Sequence, residues 1–510
     1  MKTTIRKQLA ARKRQIEARL DKSKIGDSTQ PMFRARNIDY DIAGRVRGLA
    51  YGGIGAMHLL ARRLGLIDKI DQRLNILKLY MPYHESDHVL NFAYNALCNG
   101  TCLQDMELRR NDAVFLDALG ARRIPDPTTA GDFCRRFTVA HINTLQDIYD
   151  EVRIGVWQQQ PDSFFDQAIL DVDGTLTETS GQCKEGMDIA YDGTWGYHPL
   201  VVSLANTREV MRLLNRSGNR PSHEGAAAAL DQAMATCIRG GFRRVLLRGD
   251  TDFSQTEHLD RWHNDGRIHF IFGFDSRANV VAIAEKLPSR AWHKLTRPPH
   301  SQPRTGERWR PDNVKDRIVR ARGFETLRLQ SEEVAEFEYR PHACKHSYRM
   351  VVVRKHISRE KGEACLPGLE EIRYFFYITN DWVSDAHDIV FTANDRCHQE
   401  NLVQQLHHGV YALSARLDNL ESNWAYMVMT SLAWNLKAWA ALMLPETGRW
   451  QEKYRAEKVW LLGLEFKAFV NALIAIPCQV VRQARRTLFR VLAYNPHQSI
   501  LFRLVDALRC

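Results

Sequence analysis

Apolar residues in the first part of the chain recur with the spacing of helices. Between positions 44 and 137, segments such as HVLNFAYNALCNG place apolar side chains every three or four positions, which is typical of amphipathic helices. The sequence Asp126-Pro127-Thr128-Thr129 predicts a turn that caps a further helix. Residues 1–150 are therefore predicted to form a helical region.

The apolar pattern changes near position 160 to short runs of strand type. The run FFDQAILDVDGT predicts a strand that ends in carboxylates, and GYHPLVVSLANTREVMRLL predicts two strands joined by a turn at Asn206-Thr207. An Ala-rich helix, the strand RRVLLRGD, another helix and the strand RIHFIFGF follow. Strands joined first by a hairpin and then by helices predict a mixed sheet over residues 160–275.

Three further regions follow this sheet. Residues 276–370 contain a stretch rich in Pro, Arg and Trp and then strand candidates, which predicts a β-rich insertion. Residues 371–415 return to the sheet with the strand RYFFYITND and an amphipathic helix over 396–413. Residues 416–510 are predicted to be helical. The expected fold class is α/β, a mixed sheet with a β-rich insertion, flanked by helical N- and C-terminal regions. The last region carries arginines predicted to lie on a helix face: Arg482, Arg485, Arg486 and Arg490.

Composition adds few constraints to this picture. The net charge of +11, with a pI near 9.1, gives a modest attraction to polyanions. Ten cysteines in 510 residues are too sparse for a disulfide scaffold, and no signal peptide is evident. The apolar run LAWNLKAWAALMLP is interrupted by Lys437 and is too short to span a bilayer. We therefore expect a cytoplasmic protein without a membrane partner.

The segment ILDVDGT carries the strongest chemical signal. Taken alone, it resembles the first motif of haloacid-dehalogenase phosphatases, in which Asp171 would be the nucleophile and Asp173 the acid/base group. Carboxylates at the end of a buried strand suit a divalent cation. However, a strand pair follows this segment, whereas the phosphatase fold requires a crossover or cap there. The pattern therefore disfavours the phosphatase.

The same aspartates fit an RNase H-like core. Such a core begins with three antiparallel strands, the first carrying an Asp, and continues with a strand whose end carries a second carboxylate. A later helix supplies the third. Asp173, Asp250 and Glu400 occur in this order on elements of these types. Together they would hold two divalent cations about 4 Å apart, which activate water or a 3′-OH.

At this point the chain resembles a known family, the DDE transposases of bacterial insertion sequences, in the cut-and-paste group with a β-strand insertion before the last Glu. The resemblance covers roughly residues 45–430, and the order of its blocks is more specific than any single block. The matching positions are Asp171, Asp173, Thr175, Gly181 and Gly196–Leu200 in the first block, Arg248, Asp250 and Phe253 in the second, Thr379-Asn380 at a strand end, and Arg396 and Glu400 in the third.

The resemblance implies a metal-dependent DNA endonuclease and strand transferase with Asp173, Asp250 and Glu400 as catalytic and metal-binding residues. The implied cofactor is Mg²⁺ or Mn²⁺, two ions per site. The implied partners are double-stranded DNA, both the terminal inverted repeats and the target, and a second copy of the chain in the synaptic complex. The implied location is the bacterial cytoplasm, at the nucleoid when DNA is bound. The predicted N-terminal region, residues 1–150, would bind DNA.

Several positions leave alternatives open. Ala393 replaces the family's Tyr before Arg396, and either Gln404 or His407 stands where the family has a Lys. Asp250 would otherwise cap a helix, and Glu400 would be a surface charge. Besides a transposase, the phosphatase and an inactive transposase-derived DNA-binding protein remain. The residues predicted to contact DNA are Arg396, Arg248, Arg304, Arg308, Trp309 and Arg310.

Overall fold

The structure is a computed structural model that describes residues 3–21, 35, 38–42, 44, 46–80, 82–181, 183–297, 325–361, 364–483 and 486–509. Over 325–328 and 359–370 it describes the backbone alone. The predicted DNA contacts Arg304, Arg308, Trp309 and Arg310 lie outside the described residues.

The helices of the described residues lie mostly before and after a large sheet. The cap predicted at 126–129 is confirmed, because Asp126 Oδ1 accepts a hydrogen bond from Thr129 N at 2.9 Å and Pro127 opens the helix. In chain order the helices are α1 Thr3–Arg19, α2 Ile54–Arg63, α3 Leu66–Arg73, α4 Glu85–Leu97, α5 Met106–Arg110, α6 Ala113–Leu119, α7 Pro127–Arg135, α8 Val139–Trp157, α9 Ala226–Gly240, α10 Leu259–Asn264, α11 Ala278–Glu285, α12 Ala386–Asn394, α13 Cys397–His408, α14 Leu420–Leu442, α15 Gln451–Gly463, α16 Phe466–Phe469 and α17 Gln498–Arg509.

The strands of the described residues form one large sheet and two small ones. In chain order they are β1 Gly48–Leu49, β2 Ala168–Gly174, β3 Thr177–Glu178, β4 Asp188–Ile189, β5 Trp195–Tyr197, β6 Leu200–Leu204, β7 Glu209–Leu214, β8 Val245–Gly249, β9 Ile268–Phe274, β10 His293–Lys294, β11 Glu325–Tyr339, β12 Tyr348–Lys361, β13 Ala364–Thr379, β14 Cys478–Gln483 and β15 Arg486–Val491.

The centre of the large sheet has RNase H-like topology. Its spatial order is β7-β6-β2-β8-β9. Strands β2, β6 and β7 are antiparallel neighbours, whereas β8 and β9 run parallel to β2 after the crossover helices α9 and α10. The mixed sheet predicted from the sequence is confirmed, and parallel neighbours β2 and β8 end at the same edge.

The β-rich segment extends this sheet rather than forming a separate layer. Strand β13 pairs antiparallel with β9, and β12, β11 and β10 follow outward in the described part of the chain. Strand β13 runs as one strand across position 370, where the sequence analysis places the end of the insertion. At its end, the Asn380 side chain accepts from Phe270 N at 3.0 Å and donates to Ile268 O at 2.9 Å, which fixes β13 against β9.

The opposite edge of the sheet, at β7, is covered by side chains. Asn435 on α14 accepts from Val210 N at 2.9 Å and donates to Val210 O at 3.1 Å. Gln146 on α8 accepts from Leu213 N at 2.8 Å. These side chains form hydrogen bonds with the backbone groups of β7 that an additional strand would otherwise pair with. The edge at β7 is therefore closed.

The N- and C-terminal helices pack together against the sheet. Helix α14 is buried from Ser422 to Leu442 and contacts α4, α7 and α8 as well as β7. A helix that is buried on all sides is expected to be apolar on every face, so burying the charge of Lys437 is unfavourable. Two contacts offset this cost: Lys437 donates to Leu462 O at 2.9 Å and lies over the Trp434 ring. No helix among the described residues is long and apolar enough to cross a membrane.

The predicted all-helical C-terminus is corrected by a β-hairpin. Strands β14 and β15 pair with each other, and β14 also pairs with β1. Alternate burial along CQVVRQ, with Cys478 and Val480 inside, is the pattern of a strand rather than a helix. Arg482, Arg486 and Arg490 therefore lie on strands and not on a helix face; Arg485 is outside the described residues.

Candidate active site

The three predicted carboxylates come from separate elements and meet at one edge of the sheet. Asp173 lies near the end of β2, and Asp250 directly follows the neighbouring parallel strand β8. Glu400 lies in the first turn of α13. Their side chains are 18%, 39% and 62% exposed, respectively, so the site opens from the sheet toward solvent.

One guanidinium group contacts all three carboxylates. Arg396 Nη1 donates to Asp173 Oδ2 at 3.1 Å. Its Nη2 lies 4.0 Å from Asp250 Oδ2 and 3.9 Å from Glu400 Oε1. The structure therefore brings together the three acidic residues singled out in the sequence, although they are far apart along the chain.

The two aspartates lie in surroundings that disfavour their charged forms. Burial raises the pKa of Asp173 to about 6, and the nearby Asp250 carboxylate adds to this, while Arg396 opposes it. Burial also raises the pKa of Asp250, with further contributions from the charges of Asp252 and Glu400. Two neighbouring aspartates with raised pKa values at a surface cleft are the kind of arrangement found at functional sites.

Asp250 uses its two carboxylate oxygens differently. Its Oδ1 accepts from Asp252 N at 3.0 Å, so it caps the short 3-10 helix Thr251–Phe253. Its Oδ2 faces Arg396. The capping bond fixes the carboxylate in place and leaves the second oxygen directed at the site.

Asp171, two positions before Asp173, is enclosed. Arg248 Nε and Nη2 donate to its two carboxylate oxygens at 2.7 and 2.8 Å, and Arg248 Nη1 donates to Thr392 O at 2.7 Å. Both residues are buried, at 1% and 3% exposure. This geometry excludes Asp171 as the exposed nucleophile that the phosphatase interpretation needs. It also corrects the predicted DNA contact by Arg248, since the guanidinium faces inward.

Comparison with known proteins assigns the family. The model of the family described as transposase DDE domain group 1 matches residues 31–510. The chain belongs to this transposase family. No curated protein matches. A solved structure of a piggyBac transposase synaptic complex with hairpin DNA is similar at 10% identity and a TM-score of 0.39, over 83% of this chain and 82% of that one. The family assignment rests on the family model alone.

A cleft of about 440 Å³ adjoins the carboxylates of the transposase. It lies between the ends of β8 and β9, the middle of β13 and the junction of α12 and α13. Asp250 and Arg396 form one side of it. The aromatic residues that line it are Phe274, Tyr374, Phe375, Phe376 and Tyr377.

The oxygen donors of this site fit hard divalent cations such as Mg²⁺ or Mn²⁺. As they stand, the described residues contain no group of three His, Cys, Asp or Glu side chains close enough to share a metal ion. At the three carboxylates of this site, the guanidinium of Arg396 lies within 4.0 Å of each. Asp173 and Asp250 both have raised pKa values and share the guanidinium of Arg396. Further positive charge, such as that of a divalent cation, would stabilise their ionised forms.

Helix α13 of the transposase is held on the sheet by residues that sequence reasoning missed. Gln399 is buried, donates to Val201 O at 3.0 Å and accepts from the Ser203 hydroxyl. The sequence signal that could have indicated this role is that Gln399 directly precedes Glu400 and falls on the buried face of the amphipathic helix. Two residues are candidates for the family's Lys position. His407 Nε2 lies 3.0 Å from Oγ1 of Thr175, the residue that follows β2, whereas Gln404 is exposed.

Two residues of the stretch rich in Pro, Arg and Trp, Arg297 and Trp292, are engaged within the protein. Arg297 makes a bidentate pair with Glu332, at 2.6 and 2.9 Å. Trp292 is buried, and the Arg354 guanidinium lies over its ring at 4.0 Å. In this structure neither side chain is placed to stack on a DNA base.

Proposed function

We propose that this transposase cuts DNA at the ends of a mobile element and joins the freed 3′-OH to target DNA, with Asp173, Asp250 and Glu400 as its metal-binding catalytic residues. The single observation that carries the proposal is the convergence of the three carboxylates within 4.0 Å of one guanidinium. Their order and element types match the RNase H-like core.

The chain's own residues prepare the site in distinct ways. Asp173 is fixed by the strand pairing of β2, and Asp250 by its capping bond to Asp252 N. Glu400 is on a helix that Gln399 holds to the sheet, and it remains the most exposed of the three. Asp173, Asp250 and Glu400 would together hold the ions. When bound, Mg²⁺ or Mn²⁺, two ions per site, would supply activation of the attacking oxygen and stabilisation of the leaving oxygen.

The cleft beside Asp250 supports a nucleic-acid substrate. Aromatic rings and an arginine next to a carboxylate cluster suit an unpaired base whose neighbouring phosphate reaches the acidic residues. The partners we propose are double-stranded DNA, as terminal repeats and as target, and a second copy of the chain that holds the other end. We further propose a bacterial cytoplasmic location, at the nucleoid when DNA is bound.

The N-terminal region, residues 1–150, is proposed to contribute DNA binding. Although Arg12 Nη1 donates to Val491 O at 3.1 Å, helix α1 has no buried residue and carries basic side chains that suit phosphate contacts. These are Arg6, Lys7, Arg12, Lys13, Arg14 and Arg19.

The proposal is tested by incubating the full chain with DNA that carries the element's own ends, in Mg²⁺ or Mn²⁺. Wild type should produce end cleavage and joined products, and Glu400→Gln should produce neither. Glu452→Gln, an exposed glutamate on α15, is the matched control and should behave as wild type. Binding of the ends without cleavage by wild type would instead identify an inactive, DNA-binding descendant of a transposase.

A further inference from the structure

Arg396 is the positive charge on which the three acidic side chains converge. It lies at the N-cap of α13 with its side chain 17% exposed. In the described part of the chain, the salt bridges of Asp173, Asp250 and Glu400 all go to this one residue. The nearby Asp171 is separately neutralised by Arg248. Among the described residues, Arg396 therefore balances the negative charge of all three carboxylates.

The position of its guanidinium is not compatible with cations in the same place. Mg²⁺ binds carboxylate oxygens at about 2.0–2.1 Å, and paired ions in such sites lie about 3.5–4 Å apart. The guanidinium nitrogens lie 3.1, 4.0 and 3.9 Å from the oxygens that would bind the ions. It thus fills the space between the donors, and its charge would repel a divalent ion at close range.

Arg396 is also free to leave in a way that Arg248 is not. Arg248 is fixed by three short hydrogen bonds, one of them to a backbone carbonyl. Among the described residues, the one hydrogen bond resolved for the Arg396 guanidinium goes to Asp173. The cleft of about 440 Å³ that Arg396 lines gives its side chain room to turn away from the carboxylates.

We propose that Arg396 is an exchangeable counter-ion, which neutralises the three carboxylates while no metal is bound and moves into the adjoining cleft when divalent cations take its place. This inference rests on the proposed metal-dependent function. It adds that Arg396 competes with the cations, so that the transposase binds metal weakly until the arginine finds another anion. In the cleft, the anion within its reach is the phosphate backbone of bound DNA.

The experiment is a calorimetric titration of Mn²⁺ into the full chain without DNA. Arg396→Gln should bind Mn²⁺ about tenfold or more tightly than wild type, because a repelling charge is removed. Arg396→Lys, which keeps the charge, should bind far less tightly than Arg396→Gln. Arg277→Gln is the matched control, since Arg277 is an exposed arginine near the same cleft that pairs with Asp275. Its affinity should stay within about twofold of wild type if only local competition matters.

A second measurement guards against a misfolded variant. The melting temperature of Arg396→Gln should rise more on addition of Mn²⁺ than that of wild type, as expected for tighter binding to the folded state. The proposal would be overturned if folded Arg396→Gln bound Mn²⁺ no more tightly than wild type does. It would also be overturned if Asp173→Asn bound Mn²⁺ as tightly as wild type, because the metal would then bind elsewhere. DNA cleavage by wild type is scored separately, so that failure of the proposed reaction and failure of the exchange are told apart.

Discussion

Asp171 and Asp173 lie on the same strand, and each is paired with an arginine, but the two pairs differ in every physical respect. The Asp171–Arg248 pair is bidentate and buried, and a backbone carbonyl completes it. The Asp173–Arg396 pair has one hydrogen bond, and its arginine is shared with two other carboxylates at the open edge. The first pair belongs to the packing of the sheet, whereas the second leaves its charges available for chemistry. Sequence spacing alone does not distinguish them.

The sharpest test of this difference is Asp173→Asn. If Asp173 binds metal as we propose, DNA cleavage should fall by more than about a hundredfold, because one of the metal-binding oxygens is lost. Near pH 7 the melting temperature should equal or exceed the wild-type value, because burial already makes the charge that is removed unfavourable in the folded state. Cleavage rates under single-turnover conditions, with melting curves of the same preparations, measure both quantities. Near-normal cleavage would show that Asp173 is as structural as its neighbour.

The complementary substitution is Arg248→Met. Removing one member of a buried pair leaves an uncompensated charge, which typically costs about 3–5 kcal/mol of stability. We expect a melting temperature several degrees lower and a poor yield of soluble protein. Arg277→Met serves as the control, because its side chain is 69% exposed and its loss should cost little. A variant at 248 as stable as this control would contradict the structural role.

The dependence of stability on pH gives a third comparison, in EDTA. The folded-state pKa of Asp173 is raised to about 6, above the ordinary aspartate value of 3.8, so the folded protein binds more protons than the unfolded chain between those limits. Its contribution is favourable at low pH and is lost as the pH rises through about 6, by about 1–3 kcal/mol. Melting temperatures of wild type should therefore fall more between about pH 4.5 and 7 than those of Asp173→Asn. Parallel curves would contradict the shift.

The smallest effect is expected at His407→Ala. Losing its bond to Thr175 should cost about 1 kcal/mol of stability and slow cleavage only a few-fold. Gln404→Ala, at an exposed position on the same helix, is the control and should change neither quantity. A large loss of cleavage at unchanged stability would mean that His407 contacts DNA directly.

Much of the core was predictable because its signals are local. Strands β2 and β8 are apolar runs that end at Asp173 and Asp250, and the strand pair β6–β7 follows from GYHPLVVSLANTREVMRLL. The period of helix α13 placed Glu400 on it. These patterns require no knowledge of distant residues.

What the sequence could not supply depends on contacts between distant segments. The pairing of Arg248 with Asp171, rather than with DNA, is decided by which face of the sheet is covered. The hairpin β14–β15 is too short for its period to stand out within an apolar, arginine-rich region, and its pairing with β1 joins the two ends of the chain. Gly52 allows this approach, because a Cβ there would lie 2.1 Å from Cys478 Sγ.

The side chains that cover β7 determine where this fold can change in size. With Asn435 and Gln146 occupying the backbone groups of that strand, further strands can be added only beyond β9. We therefore expect relatives to differ in the number of strands on that side, while the distance between the acidic residues on β2 and after β8 stays constant. Surveying the lengths of homologous chains between the second and third acidic blocks would show whether variation is concentrated there.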